Sequence, residues 1–218
     1  SWRPGTSEAS NSISDWRFPE FTEDGSWTSH STFPIGFGNV GGLALNTIVP
    51  DMRNEFTSLF LRNSFTIAPG ELPSQLQLNF TVDDGAVIWI NGTEVERFRF
   101  ATNEAPSIDD EASGQGPEGL LETKLLLNPG AYLVEGENTI AVQVFNFGIN
   151  SGDLEFDLEV VRPAQEEALP SPSPGAKNIA FAHNAAPNIR KVLHSPEQPT
   201  GNDEVTISAH VTDPDGVA

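Results

Sequence analysis

Leu76-Gln77-Leu78-Asn79-Phe80-Thr81-Val82-Asp83-Asp84-Gly85-Ala86-Val87-Ile88-Trp89-Ile90-Asn91-Gly92-Thr93-Glu94-Val95 is the stretch whose reading decides the fold. Leu76, Leu78, Phe80 and Val82 alternate with Gln75, Gln77, Asn79 and Thr81, the period-two pattern of a strand buried on one face. Asp83-Asp84-Gly85 breaks that strand. A second apolar run over 86–90 meets Asn91-Gly92 and turns back into residues 93–98. An Asn-Gly pair between apolar runs supplies the two positive φ values of a tight turn, so it predicts a β-hairpin.

The flanking sequence repeats this logic. Residues 55–67 carry Phe56, Leu59, Phe60, Leu61, Phe65 and Ile67, enough for one or two strands. In 139–147, Ile140, Val142 and Val144 face one way and Ala141, Gln143, Phe145 and Phe147 the other. Leu154, Phe156, Leu158 and Val160 alternate with Glu155, Asp157 and Glu159, and 120–127 reads as a further strand. Helical periodicity is almost absent and Gly, Pro, Asn, Asp and Ser punctuate the runs, so the expected class is an all-β, antiparallel sandwich or barrel. Residues 1–50 read as an irregular N-terminal wrap anchored by Trp2, Trp16, Trp27, Phe33 and Phe37, and 101–119 as a long exposed loop. The sandwich is expected to occupy 1–162. Pro163, Pro170, Pro172 and Pro174, with Ser171, Ser173 and Glu166-Glu167, predict a semi-extended linker over 163–178. Residues 179–218 then supply only two strands, the N-terminal fragment of a second, immunoglobulin-like domain that needs about 100 residues. The missing initiator Met fits a piece of a longer chain.

Composition narrows the partners. Among 218 residues, 31 are acidic and 11 basic, giving a net charge of −20. Phosphate binding needs a basic footprint, so nucleic acid is excluded as an expected partner and anionic membrane surfaces are disfavoured. There is no cysteine, hence no disulfide framework, thiol nucleophile or thiolate metal site. No run reaches the roughly 18 apolar residues of a membrane span, and the first residues lack a signal peptide's charged start and apolar run. His30, His183, His194 and His210 show no metal-type spacing. Asn79-Phe80-Thr81 and Asn91-Gly92-Thr93 match the glycosylation sequon, but a strand position and a turn account for them. No nucleophile elbow, phosphate loop or zinc motif appears, so no catalytic residue is assigned and the chain is expected not to be an enzyme.

Several separated stretches together resemble a known module. Residues 16–27 with Pro34-Ile35-Gly36-Phe37-Gly38, Leu61-Arg62-Asn63-Ser64-Phe65, the 83–95 hairpin, Gly136-Glu137-Asn138-Thr139-Ile140-Ala141-Val142 and Ser151-Gly152-Asp153-Leu154-Glu155-Phe156-Asp157 carry the likeness. In this order they resemble a galactose-binding-like, protective-antigen-like jelly roll of large exported bacterial proteins of the planctomycete type. The Asn-Gly hairpin and Gly-Glu-Asn strand are also similar to the non-catalytic jelly roll of family 2 glycoside hydrolases. The resemblance implies a jelly-roll β-sandwich, an extracellular or cell-surface setting, and neighbouring domains of the same polypeptide as partners. It also implies an accessory role in binding or presenting carbohydrate; the rival is a structural spacer without a ligand of its own.

Asp83 and Asp84 are the candidate metal ligands, because paired carboxylates at a strand end offer hard oxygens to Ca²⁺. In protective-antigen-type adhesin domains a similar pair does this. The competing reading has both side chains cap the turn into Gly85. Asn146, Asn150 and Asp153 are candidate contributors from a second loop, and as ordinary turn residues equally explained without a ligand. Trp89 is the candidate for stacking on a sugar ring, against a plain core role.

Overall fold

The computed structural model describes residues 1–12, 14–29, 31–50, 52–101, 104–117, 119–163, 188–196, 201 and 204–212. The strands are β1 (Trp2–Pro4), β2 (Ile35–Phe37), β3 (Thr47–Ile48), β4 (Ser58–Ile67), β5 (Gln75–Asp83), β6 (Gly85–Ile90), β7 (Thr93–Phe98), β8 (Glu122–Leu127), β9 (Gly136–Phe145), β10 (Leu154–Val161), β11 (Asn188–Ser195) and β12 (Thr206–Thr212). Two five-stranded sheets, ordered β1-β4-β9-β6-β7 and β3-β2-β10-β5-β8, form the all-β sandwich that the alternation predicts. All pairings within them are antiparallel except β2 with β3.

The chain divides into two compact units, Ser1–Pro163 and Ala164–Ala218. Within the second, β11 and β12 pair antiparallel, with a register irregularity between Arg190 and Leu193. Apart from Pro163, the linker expected at 163–178 lies outside the described residues.

The inter-sheet core follows the sequence parity. Leu76, Leu78, Phe80 and Val82 meet Leu59, Leu61, Ile88, Ile90, Val142 and Val144, with Leu154 and Phe156 closing the far side. A second core lies on the outer face of the first sheet. There Val87, Trp89, Ala141, Phe145 and Phe60 are covered by Trp16 and Trp27 of the N-terminal segment and by Phe100 and Ala112. Trp16 packs edge-on against Phe60 and Trp89, with ring centroids 5.0 and 5.6 Å apart. The wrap thus contributes Trp16 and Trp27 to this outer core, Trp2, Phe33 and Phe37 to the inter-sheet core, and three short strands, β1 to β3.

The stretch expected as an exposed loop over 101–119 has no strand or helix and is mostly exposed among its described residues, yet it is also fastened to this face. Gln143 Nε2 donates to the Ser107 carbonyl (3.0 Å), and the Thr57 and Ser58 hydroxyls both donate to that of Ile108 (3.1 and 2.9 Å). Its polar composition hides the apolar contacts of Ile108 and Ala112. Backbone carbonyls here are paired with the strands beneath rather than with water.

Candidate functional site

The chain passes from one sheet to the other at Asp83-Asp84, which ends β5 and precedes β6. The peptide bond between them is cis. Gly85 follows because the chain returns over it: a Cβ there would lie 2.9 Å from both Ala112 Cβ and the Arg99 carbonyl oxygen. Asp83 and Asp84 are 5% and 2% exposed. The Asp84 carboxylate accepts the Phe147 N–H at Oδ2 (2.7 Å) and the Gly116 N–H at Oδ1 (3.2 Å), so it ties two loops to the crossing. These charge-assisted bonds to backbone N–H are of the stronger kind.

Asn146 sits beside this carboxylate. Its Oδ1 also receives the Phe147 N–H, at 3.1 Å, and its main chain is held by Thr57 and Ala112. The residue is 1% exposed, and its Nδ2 has no hydrogen-bond partner among the described residues. Asn150 is exposed and Asp153 half-buried next to Gly38, and among the described residues no hydrogen bond or ion pair joins either to the turn. Of the three candidates in that loop, Asn146 alone, among the described residues, shares a hydrogen-bond donor with Asp84, the Phe147 N–H.

Two further groups at the crossing escape a reading by sequence. Glu155 stands directly across from Asp83 in the β5–β10 register, on the same face, which places their Cβ atoms about 5 Å apart. It is 2% exposed and accepts from Thr81 Oγ1 (3.1 Å) and the Gly119 N–H (3.2 Å). Arg99 donates from Nη2 to the Val82 carbonyl (2.6 Å), and its guanidinium fills the space where a Gly116 Cβ would stand. A cation therefore already packs against the residue whose N–H binds Asp84. Among the described residues no three His, Cys, Asp or Glu side chains converge on a common metal position. Calcium here would draw on Asp83, Asp84 and uncharged oxygens.

Trp89 is a core ring and not a surface platform. It is 2% exposed, Trp16 packs against it and the Arg17 guanidinium lies over it at 4.0 Å. Burial lowers the Arg17 pKa to about 10, and its Nε and Nη2 have no hydrogen-bond partner among the described residues.

No protein-family profile and no curated protein sequence matches the chain. Among solved structures it is similar to a β-glucuronidase of Bacteroides uniformis, at 17% identity and TM-score 0.40, over 72% of this chain and 17% of that one. A calcium-binding mutant of Bacteroides uniformis β-glucuronidase 2 aligns at 17% identity and TM-score 0.37, over 64% and 15%. A glycosyl hydrolase family 2 member of Bacteroides cellulosilyticus aligns at 22% and 0.32, over 49% and 13%. The chain spans less than a fifth of these enzymes' length, and the likeness is one of β-sandwich fold. Among the described residues no helix is long and apolar enough to cross a membrane.

Proposed function

We propose that this chain is a non-catalytic accessory module of a larger extracellular or cell-surface protein, and that it binds or presents carbohydrate. The sheet-to-sheet crossing carries the reading: Asp83 and Asp84 are buried in its turn, and Asn146, buried after β9, shares the Phe147 N–H with Asp84, its own Nδ2 unmatched among the described residues. In this reading Asp83 and Asp84 are hard-oxygen ligands to Ca²⁺, and the Asn146–Asp153 loop supplies the rim. The N–H bonds do not exhaust Asp84, because each carboxylate oxygen has two lone pairs. One site at a hundred times its dissociation constant would stabilise the fold by about 2.7 kcal/mol. Millimolar Ca²⁺ should therefore raise the melting temperature of the wild type and not of Asp83→Asn/Asp84→Asn. Glycan-array binding measured with Ca²⁺ and with EDTA should show which sugars are held. An unchanged melting temperature removes the calcium, and array silence from folded protein removes the carbohydrate.

A structural spacer is the second reading, favoured by a specific observation. Gly116, Phe147 and Arg99 already supply the turn with two N–H donors and a neighbouring guanidinium, which is what pure capping requires.

A further inference from the structure

We infer that a polar cleft on the outer face of the first sheet, at the end of β9 remote from Asp84, seats one neutral pyranose unit without calcium. The inference rests on the carbohydrate reading and gives it a second location. Asp84 N donates to the Phe145 carbonyl at one end of β9, while Glu137 and Thr139 line the cleft near the other. Six to eight residues at about 3.3 Å each separate the two places by roughly 20–26 Å.

The cleft exists because the wrap stops short. β1 pairs only with Leu59, Phe60 and Leu61, so β4 beyond Arg62 has β9 on one side and an open edge on the other. Ser64 faces outward there opposite Thr139, and Phe21 and Glu23 of the wrap form the wall. The volume is about 330 Å³, at the small end of ligand pockets and suited to one ring rather than a buried oligomer.

The polar groups divide into those committed to the fold and those left over. Arg62 is spent: it donates to Glu23 Oε1 (3.2 Å) and to the carbonyls of Trp16 and Phe18. Glu23 Oε1 also accepts the Ser1 hydroxyl. Among the described residues, Glu23 Oε2, the Ser64 hydroxyl and both Glu137 oxygens have no hydrogen-bond partner, while Asn63 shares the opposite face of β4 with Leu61 and Phe65. These are two carboxylates to accept and a hydroxyl that both donates and accepts. A sugar hydroxyl both donates and accepts, so vicinal hydroxyls match this set. Phe21 supplies the apolar wall that a pyranose C–H face needs, and its ring is fixed by Trp27 at 6.1 Å and the Arg62 guanidinium at 5.1 Å. The charges around the cleft balance, Arg62 and the Ser1 ammonium against Glu23 and Glu137, so it offers no surplus positive charge to draw uronic acids or sulfated sugars.

The test is an array of neutral and acidic oligosaccharides, run in EDTA and in Ca²⁺ on the whole chain, followed by titration of the strongest ligand. The wild type should bind neutral glycans equally in both buffers. Glu137→Ala should weaken binding at least tenfold, and Ser64→Trp should fill the cleft and abolish it. Both positions are exposed, and melting temperatures within a few degrees of the wild type confirm the fold. Binding that needs Ca²⁺, disappears in Asp83→Asn/Asp84→Asn and ignores the cleft variants keeps the carbohydrate reading and overturns this one. Selective capture of acidic glycans also overturns it. Silence of the wild type in both buffers overturns both.

Discussion

Trp16→Ala tests whether the second core belongs to the same cooperative structure as the first. Trp16 is fully buried, and its ring meets Phe60, Trp89 and Trp27 with centroids 5.0, 5.6 and 6.5 Å apart. An indole that removes about 250 Å² from water at about 25 cal/mol per Å² contributes at most about 6 kcal/mol. Large-to-small changes of this kind cost about 3–5 kcal/mol once the site has partly collapsed. That is a large fraction of the 5–15 kcal/mol typical of a domain. At a urea slope of about 2 kcal/mol per molar, the midpoint should fall by about 2 M. Tryptophan fluorescence is a clean probe, because Trp2, Trp16, Trp27 and Trp89 all lie in the Ser1–Pro163 unit. Ile88→Ala, in the inter-sheet core, gives the reference loss of about 2–5 kcal/mol. If Trp16→Ala shifts the midpoint by less than 0.5 M (about 1 kcal/mol), the wrap is only draped on the sheet and the two-core description is wrong.

Three further outcomes follow from single contacts. Gly36→Ala should cost about 2–3 kcal/mol in urea unfolding, since its Cβ would run into the Leu154 carbonyl across the β2–β10 pair, where no side chain can move aside; a neutral result would refute that pairing. Asn138→Ala should cost about 2–4 kcal/mol, because this wholly buried amide accepts from Asn91 Nδ2 (2.8 Å) and the Val134 N–H (2.9 Å) and donates to the carbonyls of Val134 and Gly136. A loss below 1 kcal/mol would mean that water replaces it freely. Arg17→Met should leave the urea midpoint at pH 7 unchanged or higher. Burial places the folded-state pKa of Arg17, about 10, below its ordinary value, so the charged form is penalised at every pH below about 10 and the penalty is released only above it. A midpoint lowered by more than 0.5 M would show that the stack on Trp89 outweighs desolvation.

Period-two alternation carried most of the fold, because a sheet face against a core leaves that mark directly in sequence. Leu76 to Val82 and Leu154 to Val160 have the faces their pattern requires. The outer face of the first sheet was harder. Val87 and Trp89 are as buried as Ile88 and Ile90, and only a continuous apolar run hints that both faces of a strand are covered. What covers them comes from far away in sequence: Trp16 and Trp27 from an irregular segment, Phe100 and Ala112 from either side of a polar stretch. Such contacts have no local period. Asn91 shows the same limit, since its turn role was legible but its side chain also accepts the Thr139 N–H and donates to Tyr132 and Asn138.

The candidate site was half legible for a related reason. Asp83-Asp84 stands out because two carboxylates adjoin at a strand break, and adjacency is what a sequence displays. Glu155 does not stand out, because alternation assigns it to the solvent side of β10, and that side is correct. It is nevertheless buried, because the 99–119 segment folds back across it and donates the Gly119 N–H. The same segment brings Gly116 to Asp84 and Arg99 to Val82. The stretch read locally as exposed loop, 101–119, therefore supplies a backbone donor to two carboxylates at the crossing, Asp84 and Glu155. Whether Asp83 and Asp84 hold an ion or only a turn depends on that segment more than on the pair itself. Exchanging Arg99 for a neutral residue should accordingly sharpen any calcium response of the melting temperature, whereas a pure cap would only be weakened by it.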